Sequence, residues 1–372
     1  MQNKRENFLN TKRDAWVEIN LANIENNILE FKKITGDKKI LAVVKADSYG
    51  CGSVMITPIL LASGVDMLGV ASIDEGMQLR DAKIECPILV LGAAPVWSFD
   101  YAAQHNIELS IFTDEHIEAC KLAFQKTKIK PKVHIKIDTG MNRIGIPSNK
   151  AVEFINKAKS FDFIDLKGIF THFACAESEK ETQIQIEKWN SVVENVDTKG
   201  LLLHIANTAA VISKFKIKSN MVRVGIGLYG YNPDLQPNIK NELCLKPVVG
   251  LKGRITNIHT MPSGDGVSYG HTFKAPKEIK VATIPIGYAD GVSRKLSNKI
   301  YGYLNGRKIK QIGNITMDQM MFDITDVDAK NGDIIELLND EITLDDWAKI
   351  LDTINYELMC RLKVRLARVY VR

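Results

Sequence analysis

The sequence has no apolar run that could cross a membrane and no cysteine pair at a metal-binding spacing. Hydrophobic residues make up 45% of its 372 positions, yet none of the runs approaches the roughly 18 consecutive apolar residues of a membrane helix. Its six cysteines are scattered, without a C-x-x-C pair or zinc-finger spacing to a histidine. These absences exclude a helical membrane protein and a zinc finger. They predict no metal site and free thiols in a reducing compartment, with the cytoplasm as default.

An excess of charge of one sign is also small. The formal net charge is only +5, and the basic stretches Lys126–Lys132 and Arg361–Arg372 alternate with apolar residues, as helix ends and strand faces do. The sequence therefore predicts no nucleic-acid partner. Residues 1–13 are polar and lack the apolar centre of a signal peptide, so they predict a flexible leader.

The first two thirds of the chain contain a regular alternation of apolar runs and helical patterns. Eight runs predict strands: Ile40–Val44, Met67–Ala71, Ile88–Leu91, Ile107–Phe112, Val133–Ile137, Leu166–Thr171, Leu201–Ile205 and Val222–Ile226. Eight such units predict a closed (β/α)8 barrel over residues 14–242, with a doubly wound sheet as the competing arrangement. Ahead of them, Ala15–Leu21 predicts a half-exposed strand. Ala22–Ile34 predicts a helix with Asn27 and Glu30 exposed.

The pattern changes beyond a linker of roughly residues 231–242. Short strands and glycine-rich turns over residues 243–372 predict a C-terminal, mostly-β domain. Asn305-Gly306 and Asn331-Gly332 predict hairpins. Leu344–Leu362 predicts one helix capped by Thr343, and a final strand follows.

The stretch ILAVVKADSYGCG, from Ile40 to Gly52, places Lys45 where the first predicted strand ends. In α/β folds, ligands bind at the carboxyl ends of the strands. A partly desolvated lysine there can act as a nucleophile or base. On this stretch alone, a lysine that simply reaches solvent is the simpler interpretation.

The fifth strand carries polar residues on one face. Alternation places His134, Lys136 and Asp138 toward the barrel interior. A buried lysine is costly unless it is paired, so Lys136 indicates either an ion pair with Asp138 or a role in a site. Arg143, just beyond the strand, favours the site.

Later strands end in further candidates. His172 ends the sixth strand, where a structural role and a catalytic role are about equally expected. Thr208 begins a helix after the seventh strand and Gly225 follows the eighth, and barrels often bind phosphate there. An ordinary helix cap at Thr208 is an equal alternative. A strand-end lysine and a phosphate site together suggest a phosphorylated carbonyl cofactor held as a Schiff base.

Eight segments then occur in an order that resembles the alanine racemase family of pyridoxal-phosphate enzymes. They are AVVKADSYGCG, HIKIDTGMNRIG, GIFTHFACAES, HIANTAA, VRVGIGLYG, VSYGHTF, IPIGYADG and GNITMDQ, and the resemblance runs from about Trp16 to Val371. It implies a barrel and a C-terminal β domain that work as a cytoplasmic homodimer with a shared active site. It also implies interconversion of L- and D-alanine through a pyridoxal 5'-phosphate aldimine, supplying D-alanine for peptidoglycan.

The resemblance also implies residue roles. Lys45 and Tyr269 match the opposed catalytic bases, with Tyr269 contributed across the dimer interface, and Lys136 matches a lysine that is often carbamylated and then pairs with Arg143. The implied cofactor-binding residues are Lys45, Tyr49, Leu91, Arg143, His172, Asn207, Thr208, Arg223, Gly225 and Ile226. The implied substrate-binding residues are Arg143, Tyr288, Met317 and Asp318.

The chemistry accounts for these residue types. Racemisation removes the α-proton on one face and returns a proton on the other, which requires two opposed bases. Arg223 at the pyridine nitrogen only donates hydrogen bonds, so the ring stays a weak electron sink and transamination is suppressed.

One position departs from the pattern, and other functions compete. Val364 stands where some members of the family carry a tyrosine that contacts the phosphate. The main alternative is a serine or broad-specificity racemase of the same family. A non-catalytic carrier of the cofactor would need no second base such as Tyr269. A decarboxylase of the same fold would need a nucleophile and substrate-binding set in the β domain that the sequence does not offer.

Overall fold

The computed structural model describes residues 12–233 and 242–372. The chain divides into two compact units, one of residues 25–48 and 53–245 and the other of residues 1–24, 49–52 and 246–372. The predicted leader lies outside the described residues except for Lys12 and Arg13, and residues 234–241 of the predicted linker also lie outside them. None of the described helices is long and apolar enough to span a membrane.

The first unit is a closed barrel of eight parallel strands, as predicted. The strands are Lys39–Val43, Met67–Val70, Ile88–Val90, Ile107–Ile111, Lys132–Asp138, Asp165–Phe170, Leu202–His204 and Met221–Val224. The first pairs with the eighth, Ile40 opposite Val222, and the fourth pairs with the fifth, Leu109 opposite Val133. These pairings close the ring, which confirms the barrel and excludes the doubly wound sheet.

Helices lie between the strands. Each of the two examples below begins at a polar cap residue and buries an apolar face. Ser72 and Thr113 each accept a hydrogen bond from a backbone amide of the following helix. The helices are Leu21–Thr35, Ser53–Ala62, Ile73–Asp81, Phe99–Gln104, Asp114–Thr127, Ser148–Lys159, Glu179–Val193 and Thr208–Ile212. The 3-10 turns Val96–Ser98 and Ile226–Tyr229 and the short strand Ile146–Pro147 complete the unit.

The second unit is mostly β, also as predicted. Nine strands form one sheet, in the spatial order Asn257–Met261, Ile279–Ile284, Met320–Asp323, Arg307–Ile312, Tyr301–Leu304, Ile334–Leu338, Val249–Arg254, Ala15–Asn20 and Ala367–Val371. Gly266–Val267 pairs separately with Phe273–Lys274. Short 3-10 turns lie at Tyr269–His271, Tyr288–Asp290 and Arg294–Leu296.

The first strand of the chain belongs to this sheet, so its predicted place in a 14–242 barrel domain is wrong. Ala15–Asn20 runs antiparallel to Val249–Arg254 and parallel to Ala367–Val371. Partners so distant in sequence leave no local signal, and the alternating pattern of the strand suits either domain.

Three other predictions about the fold are wrong in part. The helix predicted from Leu344 to Leu362 is two helices, Leu344–Leu351 and Asn355–Arg361, because Asp352 adopts a left-handed conformation with φ 53°. Asn305-Gly306 does form the predicted two-residue hairpin, with Leu304 opposite Arg307. Asn331-Gly332 forms a turn but no hairpin, because the strands on either side of it pair elsewhere.

The third error concerns the first helix, where Asn27 and Glu30 are buried rather than exposed. Asn27 donates a hydrogen bond to the carbonyl oxygen of Leu228 at 3.1 Å, and Glu30 accepts one from the amide of Cys244 at 2.9 Å. Polar side chains are buried where they find such partners, and these partners lie some 200 residues away.

Candidate functional site

Lys45 lies two residues after the end of the first barrel strand, Lys39–Val43, and precedes an unusual left-handed turn. Ala46, Asp47, Ser48 and Tyr49 have φ values of 53°, 51°, 56° and 55°, a conformation that costs each non-glycine residue about 1–2 kcal/mol. Two carboxylates hold the turn. Asp47 accepts from the Ser53 amide at 2.7 Å, and Glu75 accepts from the Ala46 amide at 2.8 Å. Such strain concentrates at functional sites.

The side chain of Lys45 itself is exposed. This exposure agrees with the simpler interpretation of the stretch, a lysine that reaches solvent, and the role of Lys45 as a nucleophile or base stays a prediction. A lysine at this strand end remains in place to meet a ligand at the carboxyl edge of the barrel.

Arg223 is held at this end of the barrel by contacts with five acceptors. It is 3% exposed, and its Nη1 donates to the carbonyl oxygen of His204 at 2.7 Å and faces Nδ1 of the same residue at 3.0 Å. Its Nη2 donates to the carbonyl oxygens of Thr171 at 2.7 Å and Ile205 at 3.1 Å, and faces His172 Nδ1 at 3.1 Å. Within the described part of the chain, none of these bonds uses Nε.

Lys136 lies near the positive charges of Arg223, Arg143 and Lys45. It is 4% exposed, and its Nζ lies 4.3 Å from the centre of the Phe170 ring. Burial and the nearby charges of Arg223 and Arg143 lower the pKa of Lys136 to about 7, with Asp138 opposing the shift. The ion pair with Asp138 that the sequence left open is therefore not the main influence on Lys136.

The same cations act on His172, which is half-buried. Burial first, and then Arg223, Lys136, Arg143 and Lys45, hold the pKa of His172 well below its ordinary value. His172 is thus neutral at physiological pH, and its Nδ1 is available to accept from Arg223.

Arg143 and Leu91 lie on loops at strand ends. Asp138 accepts from the amides of Gly140 at 2.9 Å and Asn142 at 3.1 Å, which orders the turn leading to exposed Arg143. Half-buried Leu91 packs toward Gly69, where an added Cβ would lie 2.9 Å from Leu91 Cδ1.

The predicted phosphate site contains a helix cap and a hydrogen bond between two of its own residues. Asn207 caps the short helix by accepting from the Ala210 amide at 3.0 Å. The Thr208 hydroxyl accepts from the Gly225 amide at 3.0 Å, so that amide is already bonded. Of the predicted phosphate contacts Tyr49, Thr208, Gly225 and Ile226, the hydroxyl hydrogen of Thr208 and the amide of Ile226, at the start of its 3-10 turn, stay candidate donors beside this bond.

The β-rich unit holds a second group of predicted residues. Tyr269 and Tyr288 line an open cleft of about 560 Å³ together with Arg294, Arg361 and Lys363. Tyr269 is 75% exposed, and its carbonyl oxygen accepts from the Asn314 side chain at 2.6 Å. The backbone that presents Tyr269 is therefore anchored while its ring is accessible.

Met317 and Asp318 adjoin this cleft in sequence but are not among its lining residues in the described chain. Both are exposed, and Asp318 pairs with Arg365 at 2.7 Å. Arg365 also pairs with the fully buried Asp290, which links the exposed loop to the interior of the unit.

Tyr49 and Val364 complete the predicted set. Tyr49 is buried against Tyr356, with ring centres 6.3 Å apart, and burial raises its pKa. Val364 is 93% exposed. The roles given to all these residues stay predictions.

Three buried or partly buried polar residues that sequence reasoning missed bond to residues of the predicted site or to their neighbours. Gln185 joins the fifth and sixth strand ends by donating to Thr139 at 2.9 Å and to the His172 carbonyl oxygen at 3.1 Å. A glutamine on a helix gives no signal for this contact. Asp290 is fully buried and accepts from the Gly287 amide at 2.8 Å, next to Tyr288. Glu108, on the interior face of the fourth strand, could have been found from the alternation in Ile107–Ile111. Within the described residues, no group of three or more His, Cys, Asp or Glu is placed to hold a metal ion.

Comparisons with known proteins assign the chain as a whole. Residues 19–233 match the model "Alanine racemase, N-terminal domain" and residues 248–370 match "Alanine racemase, C-terminal domain". Alanine racemases from Clostridium novyi and Nostoc sp. are 38% and 39% identical, over 97% and 96% of this chain and 96% of each relative. The solved alanine racemase of Clostridium difficile 630 has a TM-score of 0.91 at 36% identity, covering 97% of this chain and 96% of that one. That of Bacillus anthracis with bound L-Ala-P has a TM-score of 0.88 at 33% identity, with the same coverage. The chain belongs to the alanine racemase family of isomerases.

Proposed function

We propose that this chain interconverts L- and D-alanine with pyridoxal 5'-phosphate as cofactor and Lys45 and Tyr269 as the two opposed bases. Membership of the family supports alanine as substrate, and a relative from Bacillus anthracis binds L-Ala-P. The observation that carries the cofactor and the mechanism is the way Arg223 is held.

The donors of Arg223 are almost fully committed. Its four Nη hydrogens meet five acceptors of the barrel, which leaves Nε–H to face a ligand. An arginine gives up no proton and accepts no hydrogen bond, so its ligand atom must be an acceptor. An unprotonated pyridine nitrogen meets this requirement.

The rest of the donor set fits the same cofactor. Lys45 provides a primary amine at the strand end, Leu91 an apolar surface for a ring, and Thr208 and Ile226 donors for a phosphate. Pyridoxal phosphate supplies, when bound, the electron withdrawal that makes the α-proton of alanine removable. Lys136, whose pKa is about 7, has enough neutral amine to take up carbon dioxide and become an anion beside Arg143.

The chain's own residues then move the proton. One of Lys45 and Tyr269 removes the α-proton from one face of the α-carbon, and the other delivers a proton to the opposite face. Arg294, Arg361 and Lys363 give the cleft around Tyr269 positive charge, which attracts the carboxylate of alanine. Tyr288, Met317 and Asp318 complete the substrate side.

The assignment of Lys45 can be tested by trapping the cofactor. Borohydride treatment of the purified protein, followed by peptide mass spectrometry, should find the cofactor on Lys45. Lys45→Ala should abolish racemisation of both enantiomers. Lys39→Ala, at the other end of the same strand, should leave it intact. Recovery of the cofactor on another lysine would contradict the assignment.

The two-base scheme predicts an asymmetric variant. In deuterium oxide, Tyr269→Phe should lose exchange of the α-hydrogen of L-alanine, while Lys45 continues to exchange that of D-alanine. Tyr301→Phe is the matched control, an exposed tyrosine of the same unit outside the cleft. If Tyr269→Phe exchanges both enantiomers as the wild type does, one base suffices and the scheme is wrong.

We further propose a homodimer in which Tyr269 of one copy serves Lys45 of the other. Co-expression of Lys45→Ala with Tyr269→Phe should then restore activity, because a mixed dimer contains one site with both bases. Mixed dimers without activity would mean that each copy uses its own Tyr269. Six free thiols suit a reducing compartment, so we place the reaction in the cytoplasm, where D-alanine would supply peptidoglycan.

A further inference from the structure

A buried chain of hydrogen bonds crosses the barrel from Arg223 to Glu108. His204 Nδ1 faces Arg223 Nη1 at 3.0 Å, and His204 Nε2 lies 2.8 Å from His134 Nδ1. His134 Nε2 in turn lies 2.8 Å from Glu108 Oε2. Both histidines are 0% exposed and Glu108 is 6% exposed. These hydrogen bonds thus join the fourth, fifth, seventh and eighth strands of the barrel.

The sixth strand leaves room for this series of hydrogen bonds, which we call the relay. At Gly168 an added Cβ would lie 2.5 Å from His134 Nδ1 and 2.7 Å from its Cε1, so only glycine leaves room for the imidazole. Phe170 on the same strand stacks on His204, with ring centres 4.8 Å apart and an interplanar angle of 2°. The two rings of the relay are therefore fixed in place.

The chemistry of the two ends fixes the direction of every bond. Arg223 can only donate, so His204 Nδ1 accepts and carries no proton. His204 is then neutral with its proton on Nε2, which it donates to His134 Nδ1. His134 is neutral for the same reason and donates from Nε2 to Glu108, whose oxygen accepts. Burial, the largest cause, and the charge of Arg223 both hold the pKa of His204 well below its ordinary value, in agreement with a neutral ring.

We propose that Glu108 is a positioning residue that fixes the tautomers of His134 and His204 and thereby holds Arg223 with Nε–H directed to the ring nitrogen. This inference rests on the proposed function. Without an acceptor at position 108, the proton on His134 Nε2 loses the carboxylate that bonds it, and Arg223 alone opposes the reversed arrangement, in which His134 donates from Nδ1 to His204 Nε2. His204 must then carry its proton on Nδ1, where it meets the donors of Arg223. Two donors cannot bond to each other, so Arg223 Nη1 loses its contact with His204 Nδ1 and keeps only the one with the His204 carbonyl oxygen.

The test uses three variants of the holoenzyme. Glu108→Leu removes the acceptor with little change in volume. Glu108→Gln keeps a carbonyl oxygen that can accept from His134, and the reversed amide is disfavoured because it would reverse the whole relay. Ser110→Ala is the matched control, because Ser110 lies on the same strand and interior face and its hydroxyl donates to the Val90 carbonyl oxygen at 2.6 Å.

Tautomers are read from ¹⁵N spectra of histidine-labelled holoenzyme. The wild type, Glu108→Gln and Ser110→Ala should show Nε2–H for both His134 and His204, and Glu108→Leu should show a second tautomer. Spectra of the wild type with a proton on Nδ1 of either histidine would overturn the proposal, even if Glu108→Leu fails to fold.

Kinetics separate positioning from simple support of the fold. In Glu108→Leu we expect kcat to fall roughly tenfold, as when an outer-shell partner is removed, with KM unchanged. A loosened Arg223 should also raise transamination, in which alanine and the pyridoxal form give pyruvate and the pyridoxamine form, so pyruvate per racemisation turnover should increase. A lower kcat with unchanged tautomers and unchanged pyruvate ratio would overturn the proposal, as would a Glu108→Gln variant as impaired as Glu108→Leu. A wild type that does not racemise alanine would refute the proposed function instead.

Discussion

Asp290 is expected to contribute strongly to the stability of the β-rich unit. Its side chain is 0% exposed. It accepts from Arg13 Nη2 at 2.8 Å, from Arg365 Nε at 2.7 Å and from the Gly287 amide at 2.8 Å. Asp290→Asn keeps the shape but removes the charge and turns one acceptor into a donor that faces an arginine.

The cost can be estimated from burial. Removing one partner of a buried ion pair costs about 3–5 kcal/mol. The side chains of Arg13 and Arg365 are 24% and 39% exposed, so water can partly solvate them, and we expect about 3 kcal/mol. For a unit of this size that lowers the melting temperature by roughly 6–12 °C.

The matched control uses the same arginine. Asp318 also pairs with Arg365, but its side chain is 58% exposed, and such pairs contribute about 1 kcal/mol or less. Asp318→Asn should therefore lower the melting temperature in scanning calorimetry by roughly 4 °C at most. If Asp290→Asn and Asp318→Asn have the same melting temperature, burial does not decide the strength of these ion pairs and the reasoning is wrong.

The pH dependence gives a second check on Asp290. Burial alone would raise the pKa of Asp290, but hydrogen bonds from Arg13, Arg365 and Gly287 lower it below its ordinary value. A carboxyl with a lowered folded-state pKa stabilises the protein fully above the ordinary aspartate pKa of about 4, and this contribution is lost as the pH falls further. The difference in melting temperature between the wild type and Asp290→Asn should become smaller in acid. A difference that does not change with pH would contradict the lowered pKa of Asp290.

Two further outcomes follow from buried positions of the barrel. Gly168→Ala should destabilise the protein to urea by about 1–3 kcal/mol, because its Cβ would lie 2.5 Å from His134 Nδ1 and 2.6 Å from the Leu202 carbonyl oxygen. Gly250→Ala, whose Cβ meets nothing closer than 3.4 Å, should cost far less, and equal losses would refute this account. Because the pKa of Lys136 is about 7, ¹³C-bicarbonate near neutral pH should give a carbamate resonance that Lys136→Met lacks. A resonance that persists in Lys136→Met would place the carbamate elsewhere.

The barrel could be predicted because its evidence is local. Each strand is a short apolar run and each helix begins at a polar cap, so eight repeats indicate a closed ring before any contact is known. Lys45 could be located in the same way, since a strand end is visible in the sequence. The left-handed turn at Ala46–Tyr49 could not, because no glycine occupies those four positions.

Long-range contacts could not be predicted from the sequence, because the groups that form them are distant from one another in the chain. Asn27 and Glu30 look exposed from helical periodicity, and only the distant backbone groups that bond them make burial favourable. The strand Ala15–Asn20 alternates as a half-exposed strand of either unit would, and only its pairing with Val249–Arg254 and Ala367–Val371 decides between them.

By itself the sequence determined the two kinds of domain, the strand end that carries Lys45 and the segments that resemble one enzyme family. The tertiary structure alone decided how Arg223 is held, which cations lower the pKa of Lys136, and that Glu108 ends a relay through His134 and His204. Strand ends and caps depend on neighbours in the chain. Hydrogen-bond direction, burial and pKa depend on groups that only the closed barrel brings together.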